Sequence, residues 1–311
     1  MMSDNETSRM KGMVEEYKMN IIFLDYGNNT ANQMQTYFSV MSLMAWADCR
    51  LRILVLAEHA EAYRHLSGIV EVIGLNQRML KEWRGAHDYS FRIKICAIQH
   101  AVRSVQAREE GAAFMFVDSD TFAFHQLDSL FEEVVKGHPC MHKNEGMPYQ
   151  TRGASRRLWK VVKGKCYAGV QIGEDSEMWN SGVIGMPAAQ AEDVCELALR
   201  LCDEMLADGV RSFNVEQFCF SVALRHVCGD IQSAEPYICH YWGNKDGWCQ
   251  RIEEFLVRSY MEEHSLEEDL QCLRDMDMTA TPYYVRTPIW RKRLLRWVDA
   301  VAPLKKPECL R

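Results

Sequence analysis

Short apolar runs alternate along the chain with longer stretches in which apolar positions recur at helical spacing. Asn20–Asp25 predicts a first strand, Gln33–Ala47 a helix, Arg52–Ala57 a second strand and Val70–Gly74 a third. From Phe91 to Glu109 the helical spacing returns and leads to Phe114-Met-Phe-Val117, a run short enough to favour a buried central strand. Such alternation predicts an α/β fold: a Rossmann-like, mostly parallel sheet flanked by helices. No GxGxxG follows the first strand, which argues against dinucleotide binding of the dehydrogenase kind. Between Lys143 and Lys165 seven basic side chains predict a long mobile loop, either a solvated connection or a lid over an anionic substrate.

Four segments carry candidate chemistry. The Phe114–Val117 run ends in Asp118 and Asp120, one residue apart, at the carboxyl end of a strand where open α/β sheets gather ligands. Carboxylate oxygens suit Mg2+ or Mn2+, which in turn bind phosphate; a solvated acidic turn is the plainer alternative. In Met178–Gly185, Asn180 and Ser181 offer hydroxyl-reading groups and Gly182 permits close backbone approach, although the segment also reads as an ordinary hairpin turn before a β-branched strand. Glu216 and Gln217 open a helix, where an acid also serves as an N-terminal cap. His240 ends a short apolar strand ahead of a Gly-rich turn bearing Lys245, and a core histidine is the alternative there.

In this order the four segments resemble the GT-A fold glycosyltransferases, especially family 8, which includes glycogenin and bacterial lipopolysaccharide galactosyl- and glucosyltransferases. The resemblance runs from Asn20 to Trp248 and includes Asp25-Tyr26 after the first strand, Ser39 and Ser42 in the following helix, the DxD pair, Asn180-Ser181-Gly182, Glu216-Gln217, and His240 with Gly243, Lys245 and Trp248. Glu216 stands where the family more often has Asp, and Lys245-Asp-Gly-Trp248 replaces Lys-Pro-Trp. The resemblance implies a metal-dependent transfer of a hexose from a nucleotide-diphosphate sugar, with UDP-sugars favoured, to a glycan or lipid-linked glycan acceptor with retention of configuration. Asp118, Asp120 and His240 would hold Mn2+ or Mg2+, while Lys245 and Gly243 would meet the diphosphate. Asp25 and Tyr26 would contact nucleobase and ribose, and Arg92 and Lys94 the nucleotide or donor sugar. Ser181 and Gly182 would complete the donor site, and Asn180, Glu216 and Gln217 would surround the transferred sugar. In an inverting enzyme Glu216 would be the base. A non-catalytic scaffold of the same fold is the main alternative; a haloacid-dehalogenase-type phosphatase would need Thr or Val where the chain has Phe122.

Composition bounds these readings. A chain of 311 residues, 48% hydrophobic and 25% charged, is large enough for one sizeable catalytic core, expected at 19–250 after a polar tail at 1–18 and before a helical extension at 251–311. Its net charge of −7 argues against nucleic acid as a partner. Twelve cysteines and no signal-peptide core predict reduced thiols in the cytoplasm, which makes the sequons at Asn5 and Asn28 accidental. Residues 286–311 hold eight basic and two acidic side chains, a local charge of +6 on a chain otherwise at −13. Thr287-Pro288 predicts a helix start and Pro303 a stop, with Trp290, Leu294, Trp297, Val298 and Val301 on one face. That face either packs on the catalytic domain or lies on an anionic membrane surface, which would make the protein peripheral on the cytoplasmic side.

Overall fold

The computed structural model describes residues 19–105 and 113–285 and, beyond these, Leu294, Trp297, Val298 and Val301. The expected tail at 1–18, the end of the helix expected to run to Glu109, and the remainder of 286–311 lie outside the described residues.

The first half runs β1 (Met19–Asp25), α1 (Thr30–Ala45), β2 (Leu51–Ala57), a 3-10 turn at Ala60–Leu66, β3 (Val70–Gly74), α2 (Gln77–Trp83), α3 (Arg92–Ser104) and β4 (Ala113–Val117). There follow β5 (Thr121–Ala123), α4 (Asp128–Val135), β6 (Cys140–Asn144), α5 (Ala154–Val162), β7 (Cys166–Tyr167), β8 (Val170–Gln171) and β9 (Trp179–Pro187). The chain then continues through α6 (Ala188–Ala207), α7 (Val215–Cys228), β10 (Gln232–Ser233), β11 (Ile238–His240), α8 (Lys245–Met261) and α9 (Leu266–Asp275). Seven strands form one sheet in the order β10-β6-β9-β4-β1-β2-β3. The pairs β4-β1, β1-β2, β2-β3 and β10-β6 are parallel, and β9 runs antiparallel to both its neighbours.

The central strands are apolar without alternation because both sheet faces are covered. Along β4, Phe114 and Phe116 join the core on one side with Ile22 of β1, while Met115 and Val117 join the opposite core with Ile21 and Phe23. A third cluster lies off the sheet. Phe38 and Met41 of α1 meet Phe122, Trp248, Ile252 and Phe255, and Leu270 and Leu273 of α9 close it. Because α8 runs unbroken through position 250 and packs on α1, the domain boundary expected there falls inside a folded unit.

Two other expectations are corrected. Asn180-Ser181-Gly182 forms no turn: it lies inside β9, every residue of which is buried. The hydrogen-bonding capacity of Asn and Ser, which favours turns when exposed, is used here by Lys94 and Glu216 on helices and by Glu145, Gly182 and His240 around the strand. The basic segment at 143–165 is only partly a loop, at 145–153 and 163–165. It finishes β6 and builds α5, whose Leu158, Trp159 and Val162 are buried, so Arg156, Arg157 and Lys160 mark the outer face of an amphipathic helix.

The fold brings the chemistry-bearing segments together by register. β4 and β9 pair Val117 with Val183, and the ladder continues as the Asp118 amide donates to Gly182 O at 2.9 Å. β5 and β11 pair Thr121 with His240, and the Tyr241 amide donates to Asp120 O at 3.0 Å. Trp248, fully buried, lies 4.4 Å from the Phe122 ring and 5.3 Å from Tyr241, clamping this small ladder from below. From α1, the Ser42 hydroxyl accepts from the Ala123 amide at 2.9 Å and Ser39 bonds the Thr121 hydroxyl at 3.0 Å. Among the described residues no helix is long and apolar enough to cross a membrane. The described cysteines are all free thiols.

Candidate functional site

Asp118, Asp120 and His240 converge, with one ligand atom of each within 4.8 Å of the others, and among the described residues they are the one such group. Asp120 is buried rather than on the solvent-facing turn that the sequence implies, because β11 and α8 close over it. Its carboxylate lies 3.3 Å from His240 Nε2 and 2.8 Å from Lys245 Nζ. Burial opposes its charge, but the hydrogen bond and charge of His240, together with Lys245, hold its pKa well below the usual value.

The backbone fixes the tautomer of His240. The Gly182 amide must donate, so the Asn180 side-chain atom that it meets at 3.0 Å is Oδ1; the same oxygen faces His240 Nδ1 at 2.9 Å, and that nitrogen therefore carries the proton. When the ring is neutral, the Nε2 lone pair points at the Asp120 carboxylate; a second proton there gives the ion pair that lowers the Asp120 pKa, and a divalent cation can take that proton's place. Two acceptors aimed at each other across 3.3 Å need a cation or a proton between them. Two carboxylates and one imidazole nitrogen with a free lone pair suit a divalent ion such as Mn2+ or Mg2+. The donor set therefore fits a metal.

Beside this group lies a buried ammonium. Lys94 Nζ, on α3, reaches Asp118 Oδ2 at 3.1 Å, Ser181 O at 2.8 Å and Ser181 Oγ at 3.2 Å, with Glu216 Oε1 at 3.7 Å. Burial disfavours its charge, yet Asp118, Glu216 and Asp120 together raise its pKa above the ordinary value. Glu216 is fully enclosed at the first turn of α7 and accepts from Ser181 Oγ at 3.2 Å. Burial pushes its pKa up to about 7 against the pull of Lys94. A side chain so enclosed, with its charge balanced by Lys94, does more than cap a helix. Gln217, next along α7, is partly exposed beside it.

The remaining candidates divide. Asp25 is buried; its Oδ2 accepts from Tyr63 at 2.8 Å, while its Oδ1 is enclosed without a partner. Tyr26 is partly buried within the field of Lys94 and Asp118. Gly243 lies under Tyr284, whose ring leaves no room for a Cβ. Arg92, expected at the donor, turns instead to α6: its guanidinium makes a bidentate pair with Asp203 at 2.7 and 2.9 Å and donates to Trp83 O. Two residues apart at 3.6 residues per turn, Arg92 and Lys94 point to opposite faces of α3, one toward α6 and the other toward the site.

The sequence alone left out two residues. The Tyr89 hydroxyl accepts from the Glu216 amide at 3.3 Å and donates to Phe213 O at 2.7 Å, tying α7 to the segment before α3. Glu145 follows β6 and bonds both Asn180 and Gln217; an acid just past a strand end is the only signal that could have found it.

Two outcomes follow from this geometry. A Cβ at Gly182 would lie 2.2 Å from His240 Nδ1, whereas one at Gly74 would meet nothing within 4 Å. Gly182→Ala should weaken Mn2+ binding by about 10-fold or more, as loss of ligand support does, and Gly74→Ala should leave it unchanged; equal affinities in an Mn2+ titration would refute the close-approach role. The raised pKa of Glu216 means that the folded state binds its proton more tightly than the unfolded chain. Its stabilising contribution is present below the ordinary pKa of 4.5 and is lost as pH rises to about 7. The melting temperature of Glu216→Gln should therefore rise relative to the unmodified protein across that interval, and a constant difference would contradict the assignment.

No family model matches the chain, and no curated protein matches it in sequence. Among solved structures, the galactosyltransferase LgtC in complex with donor and acceptor sugar analogues is similar at 13% identity, over 70% of this chain and 73% of that one, with a TM-score of 0.46. An active-site mutant of LgtC is similar at 12% identity, over 76% of this chain and 94% of that one, with a TM-score of 0.48. At these values no residue role is carried across, and the site rests on its own geometry.

Proposed function

We propose that the protein transfers a hexose from a nucleotide-diphosphate sugar, with UDP-sugars favoured, to a glycan or lipid-linked glycan acceptor. The observation that carries this reading is the meeting of an oxygen-rich cation site, Asp118, Asp120 and His240, with the buried cluster of Lys94, Ser181 and Glu216, beside which lie the amides of Asn180 and Gln217. Nucleotide-sugar cleavage develops negative charge on a diphosphate and positive character on a sugar ring, and these two groups of side chains suit those opposite demands. A divalent cation, Mn2+ or Mg2+, bound there would offset the charge of the departing diphosphate. Lys245, now on Asp120 from the first residue of α8, is half exposed and within reach of a phosphate oxygen in the same place.

Asp25 and Tyr26, at the end of β1, are the groups assigned to the nucleobase and ribose, and the unpartnered Asp25 Oδ1 is the acceptor left over there. Ser181 bonds Lys94 and Gly182 lies against the His240 ring, so this strand joins the two groups, and Gly243 lets Tyr284 pack on the turn before Lys245. Retention of configuration is the favoured outcome. Glu216 is enclosed and engaged by Lys94 and Ser181, so it is poorly disposed to take a proton from an acceptor arriving through solvent, and the leaving phosphate can take it instead. This chemistry is tested with Asp120→Asn, which keeps side-chain volume. The unmodified protein should release UDP from UDP-galactose or UDP-glucose in an Mn2+-dependent manner, and the variant should do so roughly 100-fold more slowly or worse. Nucleotide-sugar stabilisation without turnover would select the non-catalytic scaffold instead.

A second observation bears on the acceptor. Leu294, Trp297, Val298 and Val301, four of the five apolar positions read from the sequence, are helical and expose 48%, 63%, 42% and 64% of their surface, which supports a face available to a partner. With Arg291, Lys292, Arg293 and Arg296 among them in sequence, these side chains suit an interfacial helix on anionic lipid, at about 1 kcal/mol per basic residue near the surface. Such attachment would bring the site to a lipid-linked acceptor on the cytoplasmic face. The full-length chain should cosediment with anionic liposomes at low salt and be released at high salt. Truncation after Val285, which spares the Val285 amide bond to Gly243 O, should abolish this; equal sedimentation of the truncated chain would eliminate the helix as the anchor.

A further inference from the structure

Asn180 and Gln217 stand on different elements, β9 and α7, and each turns its amide nitrogen to one carboxylate. Asn180 Nδ2 donates to Glu145 Oε1 at 3.2 Å, and Gln217 Nε2 donates to Glu145 Oε2 at 2.9 Å. The backbone of Glu145 is pinned, because its amide donates to Met178 O at 2.7 Å and the Met178 amide donates to Gly146 O at 3.0 Å, which extends the β6-β9 ladder by one step. An ionised carboxylate only accepts hydrogen bonds, so Glu145 has one consistent arrangement with two amides: each gives it an N–H and turns its oxygen away.

We propose that Glu145 is a positioning residue that selects the amide faces of Asn180 and Gln217, and so couples the cation site to the sugar pocket. The coupling runs along a continuous series of bonds. Gln217 donates to Glu145, Glu145 accepts from Asn180, and Asn180 Oδ1 accepts from His240 Nδ1, leaving Nε2 for the cation. At the other end the Gln217 carbonyl oxygen is directed away from Glu145. Two further contacts keep the His240 ring in place: the bare Gly182 backbone on one side and the His142 ring, edge-on at 5.4 Å, on another. The two amides are not equally constrained. The Gly182 amide also holds Asn180, whereas Glu145 is the partner shown for Gln217.

That asymmetry gives distinct expectations for two substitutions. Glu145→Gln supplies one acceptor and one donor. Asn180, held by Gly182, keeps the acceptor, and Gln217 must turn its oxygen to the new N–H, presenting nitrogen where the carbonyl had been. Glu145→Ala removes the outer support of Asn180, and with it a hydrogen bond behind the cation ligand, an effect of about 10-fold on metal affinity. The experiment measures Mn2+ affinity by electron paramagnetic resonance in the full-length chain and, separately, kcat and KM for UDP-sugar turnover, with melting temperature as a control. Expected are an Mn2+ affinity near that of the unmodified protein for Glu145→Gln and roughly 10-fold weaker for Glu145→Ala. Glu145→Gln should lower kcat by about 10-fold or more with a donor KM changed far less. Glu145→Gln combined with Gln217→Glu, which exchanges amide and carboxylate and again turns an oxygen to the pocket, should recover part of that kcat. Unchanged Mn2+ affinity in Glu145→Ala, or unchanged kcat in Glu145→Gln, would overturn the proposal. The kinetic arm rests on the glycosyl-transfer reading. The metal arm does not, so absence of turnover in the unmodified protein would count against that reading alone and leave the Mn2+ comparison to decide the role of Glu145.

Discussion

The buried ammonium of Lys94 is the contact on which the arrangement of the site depends. It comes from α3 and touches Asp118 at the end of β4, Ser181 in β9 and Glu216 in α7, so four elements share one charge. Each carboxylate would be strongly disfavoured in this enclosure by itself, and so would the amine. Together they are tolerable, and removal of one partner of such a buried pair typically costs about 3–5 kcal/mol. The high pKa of Glu216 and the raised pKa of Lys94 are two sides of that balance.

Close approach is the second constraint. β9 inserts antiparallel between β4 and β6, and its Asn-Ser-Gly segment presents three kinds of contact within one strand: an amide oxygen to His240, a hydroxyl and carbonyl to Lys94, and a bare Cα to the imidazole ring. A strand is stiffer than a loop, so these contacts are held by ladder hydrogen bonds rather than by a flexible turn. The clamp of Trp248, Tyr241 and Phe122 under β5 and β11 serves the same end from the other side, fixing His240 against Asp120. The candidate chemistry thus sits on sheet and helix ends whose positions are set by the apolar core beneath them.

Much of this was legible in the sequence because it depends on local pattern. The strand ending in Asp118 and Asp120, the strand ending in His240 and the helix opening at Glu216 all follow from short apolar runs broken by polar residues, and each lies where expected. The strand assignment of Asn180–Gly182 was not legible, since Asn, Ser and Gly favour turns and only tertiary partners, Lys94, Glu216, Glu145 and His240 among them, reverse that preference. The helix within 143–165 was hidden by its cations, although Leu158, Trp159 and Val162 carried the helical spacing. Arg92 and Lys94, two residues apart, looked equivalent; the packing of α3 on α6 sent one to Asp203 and the other into the site.

The sequence by itself determined the sheet-forming runs, the α/β alternation and the residue types from which a cation site and a polar pocket could be made, because hydrophobic period and residue chemistry are properties of the local chain. Only the tertiary structure decided which groups meet. The burial of Asp120, the raised pKa of Glu216, the tautomer of His240 and the hydrogen bonds of Glu145 all depend on partners tens of residues away, across strand pairs whose register is set by the core. Charge and hydrogen-bond energies are set by distance and by exclusion of water, and neither exists until the chain has folded.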